Sequence, residues 1–279
     1  MSFSKTVWGV WSTIGFWVSL LGNTPLNARC GMGICPLPVA GGLNELALAG
    51  TGVLPSQLAL ETSYVSFDIG GRGGYIQNAL VGVYEHRLLR AGGFLPAIFL
   101  TGPQGESTGL GNATLFAELY LLTRPGMRFS FGSQIETPTG NHARGLAADH
   151  FMAVPYINLW QQLQNWRFAL QTGLQQVIGQ HSHGGNTAVL YVNPHTDSEW
   201  MARLMASYTW RERLSAEANA HLRQVLDPHA LGDKVFLDLG AALRIAIGQI
   251  WAVRLGADFP VTSRARMLWQ GYASLVVYF

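Results

Sequence analysis

The chain has 279 residues, of which 48% are hydrophobic and only 12% charged, with a formal net charge of +2 and a mean hydropathy of +0.17. No run of Lys or Arg resembles a nucleic-acid footprint, so a polyanion partner is not indicated. A membrane helix needs about 20 consecutive apolar residues, and beyond the N-terminal segment no stretch approaches that without a polar or charged interruption. In hydrocarbon every backbone polar group must be paired internally, which leaves a closed β-barrel as the remaining way to span.

In chain order, the first segment reads as an export signal. Lys5 supplies a positive start, and an apolar run over 7–21 contains Trp8, Trp11, Phe16 and Trp17. Leu26-Asn27-Ala28 is an imperfect small-residue cleavage site, so 1–28 is expected to be removed. Arg29 before Cys30 departs from the small residue that lipoprotein signals carry. Residues 29–56, with Pro36, Pro38 and several glycines, are expected to hang in the periplasm or to enter the barrel as a plug. Cys30 and Cys35 are the two cysteines, and an oxidising compartment makes a local disulfide their simplest state. A structural zinc usually takes four protein ligands, and no nearby His completes such a set.

From residue 57 to 279 the periodicity is two, which predicts an all-β, transmembrane antiparallel barrel of about twelve strands. Strands are expected near 57–68, 77–89, 93–101, 114–123, 126–137, 149–160, 166–178, 199–211, 213–225, 234–247, 250–260 and 267–279. In 234–247, Val235, Leu237, Leu239, Ala241, Leu243, Ile245 and Ile247 form a face suited to lipid, against Asp238 and Arg244 on the other. The same division recurs in 199–211 and 213–225, with aromatics near strand ends, where an apolar body and a wet tip suit the membrane interface. The connections at 68–76, 102–113, 137–149, 179–198, 227–233 and 261–265 are longer or more polar than those near 90–92, 124–125, 162–165, 212 and 248. Short periplasmic turns and longer outer loops place both ends of the barrel in the periplasm. A soluble sandwich would also show short alternating strands.

In the last strand Trp269, Gly271, Ala273, Leu275, Val277 and Phe279 alternate against Gln270, Tyr272 and Ser274. This pattern, ending on an aromatic, resembles the signal that bacterial outer-membrane barrels present to their assembly machinery. Glu136-Thr137-Pro138-Thr139-Gly140, followed by Gly145-Leu146-Ala147-Ala148-Asp149-His150, closes one strand and opens the next. With the export signal, the strand count and Phe279, it resembles a family of outer-membrane barrels named for a link to phenol degradation. The resemblance covers most of 45–279 and implies a transporter in the bacterial outer membrane, contacting its lipid and passing a small-molecule solute.

On this alternation the lumen receives Glu61, Glu118, Arg128, Glu136, Arg167, Glu199 and Arg203. Glu217, Arg223, Asp238, Arg244, Arg254 and Asp258 complete that set. Both signs occur in near balance, which predicts weak ion selectivity in a channel or, equally, a salt-bridged network that only braces the wall. Six histidines fall in or beside outer loops, leaving His86 and His221 in strands. His181, His183 and His195 form a candidate Zn²⁺ or Cu²⁺ site, against the plainer reading of His in polar loops; no other cofactor is indicated. Outer-membrane phospholipases use a Ser and a His two apart on a strand, yet Asn141-His142 is followed by Ala143 and Arg144, and Ser182 abuts His181 in a glycine-rich loop. No enzyme is therefore expected. The alternative to a channel is a structural or ligand-binding barrel with His-rich outer loops.

Overall fold

The computed structural model describes residues 56–68, 71–103, 105–179, 192, 197–210, 213–226, 234–248, 250–262 and 267–279. The export signal, the Cys30 and Cys35 pair, the N-terminal segment and His181, His183 and His195 lie outside the described residues.

Thirteen strands follow one another along the described chain. They are β1 (Gln57–Asp68), β2 (Arg72–Glu85), β3 (Leu89–Gly102), β4 (Gly105–Leu110), β5 (Thr114–Arg124), β6 (Met127–Glu136) and β7 (Phe151–Leu163). Then come β8 (Trp166–Ile178), β9 (Ser198–Trp210), β10 (Leu214–Val225), β11 (Val235–Ile247), β12 (Trp251–Pro260) and β13 (Trp269–Tyr278). Each pairs antiparallel with its sequence neighbour except β4 with β5, and β13 pairs with β1 from Gln57↔Tyr278 to Ser66↔Trp269, closing the sheet into a barrel. Both β4 and β5 pair with β3, through Ala97↔Leu110 and Phe94↔Thr114. They are one strand of the wall interrupted by a bulge at 111–113, so the closed barrel has twelve staves. Closure removes the unpaired edges that hydrocarbon does not tolerate.

The alternation of side chains carries the rest of the argument. Leu58, Leu60, Leu80, Leu95, Leu115, Ile157, Leu204, Leu239, Leu243 and Leu255 are exposed on the outer face of the wall, while their strand neighbours are buried toward the axis. A water-soluble sheet would bury that apolar set, whereas lipid accepts it. Where the chain returns tightly, left-handed residues make the turns, with Gly126 at φ 73° and Gln164 at φ 55°. The end holding Gln57 and Phe279 is called the terminal end below, and the opposite one the far end.

The structure revises the sequence reading in three places. The glycine-rich stretch expected as the 68–76 loop is a tight hairpin with Asp68↔Arg72 in register. The turn expected at 90–92 is at 86–88, closed by His86 N–H to the Leu89 carbonyl at 2.8 Å, so Arg90 belongs to β3 and His86 to the turn rather than a strand. The cause is the same for both errors, because Gly73, Gly74 and Gly92 serve close packing inside strands, whereas Gly71, at φ 138°, lies in the turn. A Cβ on Gly92 would come within 2.3 Å of the Gly82 carbonyl oxygen and 2.7 Å of the Phe116 ring. Finally, the connection expected at 102–113 contains β4, whose sequence GESTGL carries no lipid-facing pattern to announce it.

Candidate permeation pathway

The inward faces of the strands define a lumen whose sides differ. Of the charged residues expected there, Glu61, Glu118, Arg128, Glu136, Arg167, Glu199, Arg203, Glu217, Arg223, Asp238, Arg244 and Asp258 are buried, and the Arg254 side chain is 11% exposed. Glu85 and Arg90 join them, although the sequence reading left both out, one near a strand end and the other in a turn. Uncharged polar side chains fill much of the remainder, among them Gln77, Gln134, Gln171, Gln175, Asn158 and Gln270. They alternate with the outward apolar set and were legible as such.

Toward the terminal end, two clusters organise the charge. In the first, Arg90 Nε lies 3.0 Å from Glu85 and its Nη1 lies 3.6 Å from Glu118. Tyr120 Oη donates to Glu85 at 2.6 Å, while Ser130 Oγ, Tyr156 Oη and Asn158 Nδ2 donate to Glu118. The Arg90 guanidinium also lies 5.0 Å from the centre of the Phe116 ring, and that of Arg128 lies 5.1 Å from Tyr120. In the second, Arg254 Nε donates to Glu217 at 2.8 Å and its Nη2 to Tyr272 Oη at 3.2 Å, while Arg244 Nη2 donates to Tyr278 Oη at 3.0 Å. A buried ion in a low dielectric is tolerated only when paired and hydrogen-bonded, which is what both clusters supply. Nearer the far end, Asp238 Oδ2 lies 3.7 Å from Arg223 and 3.9 Å from His221.

The wall formed by β1, β2 and β3 is different. At the terminal end its inward side chains Ala59, Val81, Val83 and Phe94 pack with Phe116, Val276 and Tyr278. At the far end Val65, Phe67, Tyr75, Ile98 and Leu100 pack with Met267, Leu146 and Val192. Between these apolar zones Glu61, Ser63, Gln77 and Gln270 make a polar waist. Alternation alone had suggested a lumen polar throughout, and the inward Val, Phe and Ile of the first three strands were the available signal against it.

Leu146 belongs to the 137–150 connection, which crosses the far end against β4 and is fastened by Asn112. Asn112 Nδ2 donates to Glu136 Oε1 at 3.0 Å and to the Ala148 carbonyl at 3.1 Å, and its Oδ1 accepts from Gly140 N–H at 3.1 Å. Asn141 N–H reaches the Leu110 carbonyl and Arg144 Nη1 the Thr108 carbonyl, covering the free edge of β4. Gly140 is required here, since a Cβ on it would meet Ala147 Cβ at 2.4 Å and the Gly111 backbone at 2.6 Å. The Pro-Thr-Gly segment noted in the sequence is thus part of a brace that holds Leu146 fully buried in the mouth. His142 and Arg144, in a short 3-10 turn of this connection, are exposed. Among the described residues no group of three or more His, Cys, Asp or Glu is arranged to hold a metal ion.

A closed twelve-stave barrel with an apolar exterior and a charged interior is the architecture of outer-membrane barrels. Among solved structures, the chain is similar to the COG4313 outer membrane channel from Pseudomonas putida F1, with a TM-score of 0.66 at 14% identity over 81% of this chain and 96% of that one. It is also similar to the NanC porin, with a TM-score of 0.54 at 10% identity over 80% of this chain and 99% of that one. At such identities the likeness is one of fold. No protein-family model matches the chain, and no curated protein does.

Proposed function

We propose that this protein is a channel of the bacterial outer membrane that passes small molecules through a lumen of mixed charge. The observation that carries the reading is the division of one closed wall into an apolar outer face and an inner face with basic and acidic groups in near balance. Lipid outside and water inside explain both faces at once. The far end, with the braced 137–150 connection, is read as the cell exterior. Near-balanced charge favours weak ion selectivity, while the apolar zones on β1 to β3 suit solutes that carry an apolar part beside a polar one. That fits the resemblance to the phenol-degradation-linked barrels without fixing a substrate. We read no catalytic or cofactor role into the chain, and we assign assembly to the machinery that recognises a terminal aromatic strand.

The second reading, a structural or ligand-binding barrel, draws on one fact: the inward side chains are almost inaccessible, with Glu199, Gln134 and Met201 at 0% exposure. Swelling of liposomes carrying the refolded protein separates the two. The channel reading expects entry of small organic solutes that falls off with solute size, and the structural reading expects none for any class.

A further inference from the structure

We propose that a groove on the outer face of β1, β2 and β3, at the far end of the barrel, binds a phosphate-bearing membrane lipid. The groove encloses about 470 Å³ and opens outward, a volume within the range of small-molecule sites. The strand register orders its chemistry in rungs. The lower rung is Tyr64↔Ile76↔Phe99, aromatic and aliphatic, with Ile76 and Phe99 exposed. The next is Ser66↔Gly74↔Thr101, with a hydroxyl on each flank. Above them Arg72 projects at the hairpin end, and Trp269 flanks Tyr64 with ring centres 5.6 Å apart.

Gly74 creates the depression, because it leaves the middle strand without a side chain between Ser66 and Thr101, and a Cβ there would approach Tyr64 Oη to 2.7 Å. Asp68 faces Arg72 across the hairpin, yet no carboxylate among the described residues lies within ion-pair distance of the guanidinium. A cation and hydroxyls above an aromatic and aliphatic slot match a lipid in its bilayer orientation, with the phosphate at Arg72 and an acyl chain along Ile76 and Phe99. A detergent without phosphate satisfies the slot alone. The guanidinium selects for phosphate.

The proposal rests on the membrane placement of the barrel and not on conduction, so it stands or falls apart from the channel reading. The test is native mass spectrometry of the detergent-purified full chain with lipid A, a bisphosphorylated glycolipid, and with its dephosphorylated counterpart. The wild type should retain the phosphorylated lipid preferentially. Arg72→Ala should weaken that retention by about tenfold, Arg72→Lys should keep most of it, and Ser66→Trp should block the slot with the charge in place. Heat-dependent gel mobility reports that each variant is folded, and Ser66→Trp decides the matter if Arg72→Ala is not. Equal retention of the two lipids, or wild-type retention by the folded variants, would overturn the proposal.

Discussion

Arg90 shares the lumen with two carboxylates, Glu85 at 3.0 Å and Glu118 at 3.6 Å, and all three are buried. Removing one member of a buried ion cluster strands the others, at a cost of about 3 kcal/mol or more. Arg90→Ala should therefore lower the unfolding free energy, read from urea titration of the refolded protein in vesicles, by that order, and adding Glu85→Gln should return part of the loss. Independent effects of the two changes would mean that the cluster does not act as a unit. Gly240 is a second sensitive point, because an added Cβ would fall 1.6 Å from Asp258 Oδ1 and 2.7 Å from Asn219 Nδ2. Gly240→Ala should displace the Asp258 carboxylate and destabilise the barrel, whereas Gly105→Ala, where nothing lies within 4 Å, is limited to the strain of its φ of 103°. At this scale the charged positions expected from alternation are where the structure buries charge. Arg90 escaped because three residues, Ala91-Gly92-Gly93, imitate a turn while serving a close approach of β3 to β2 and β5.

The strands of the second half were legible nearly to the residue, since β9, β10 and β11 set charged residues such as Glu199, Arg203, Glu217, Arg223, Asp238 and Arg244 at alternate positions opposite an apolar face. Although β1 falls on its expected 57–68, β2 and β3 were not legible, expected at 77–89 and 93–101 against Arg72–Glu85 and Leu89–Gly102. Their inward faces carry Val81, Val83, Phe94 and Ile98, so both faces are apolar and period two loses its contrast. β4 was invisible for the opposite reason, as Leu110 is its single apolar side chain, and it is recognised only by its pairing with β3. The 137–150 connection was marked in the sequence as a turn with a family resemblance, but its brace at Asn112 could be seen only in three dimensions. Asn112→Ala removes three hydrogen bonds at once, each worth about 0.5–1.5 kcal/mol. It should release the connection and raise solute entry in the swelling assay. Leu146→Gly should act in the same direction at a cost of about 2–5 kcal/mol, because Leu146 is fully buried against Val65, Phe67 and Ile98, while the strand pairing of the wall stays in place. Unchanged permeation in both variants would remove this connection from the pathway.

At the scale of the whole molecule, closure is made by the pairing of the first strand with the last. The β1 and β13 register runs through ten pairs, and Phe279 N–H donates to the Ser56 carbonyl at 3.0 Å just beyond it. Deleting Phe279 should reduce the folded, heat-modifiable protein recovered from outer membranes, with less effect on refolding into vesicles. Equal losses in both would make the residue structural and not a recognition signal. The apolar inner wall of β1 to β3 and the charged clusters beside and across from it enclose one interior, the candidate passage, only when β13 returns to β1, which alternation within single strands does not specify. The most direct test of that passage is planar-bilayer conductance of the refolded protein. The account predicts small discrete steps with weak preference for either ion sign, growing in Leu146→Gly. Folded, inserted barrels that carry no current in either form would contradict it.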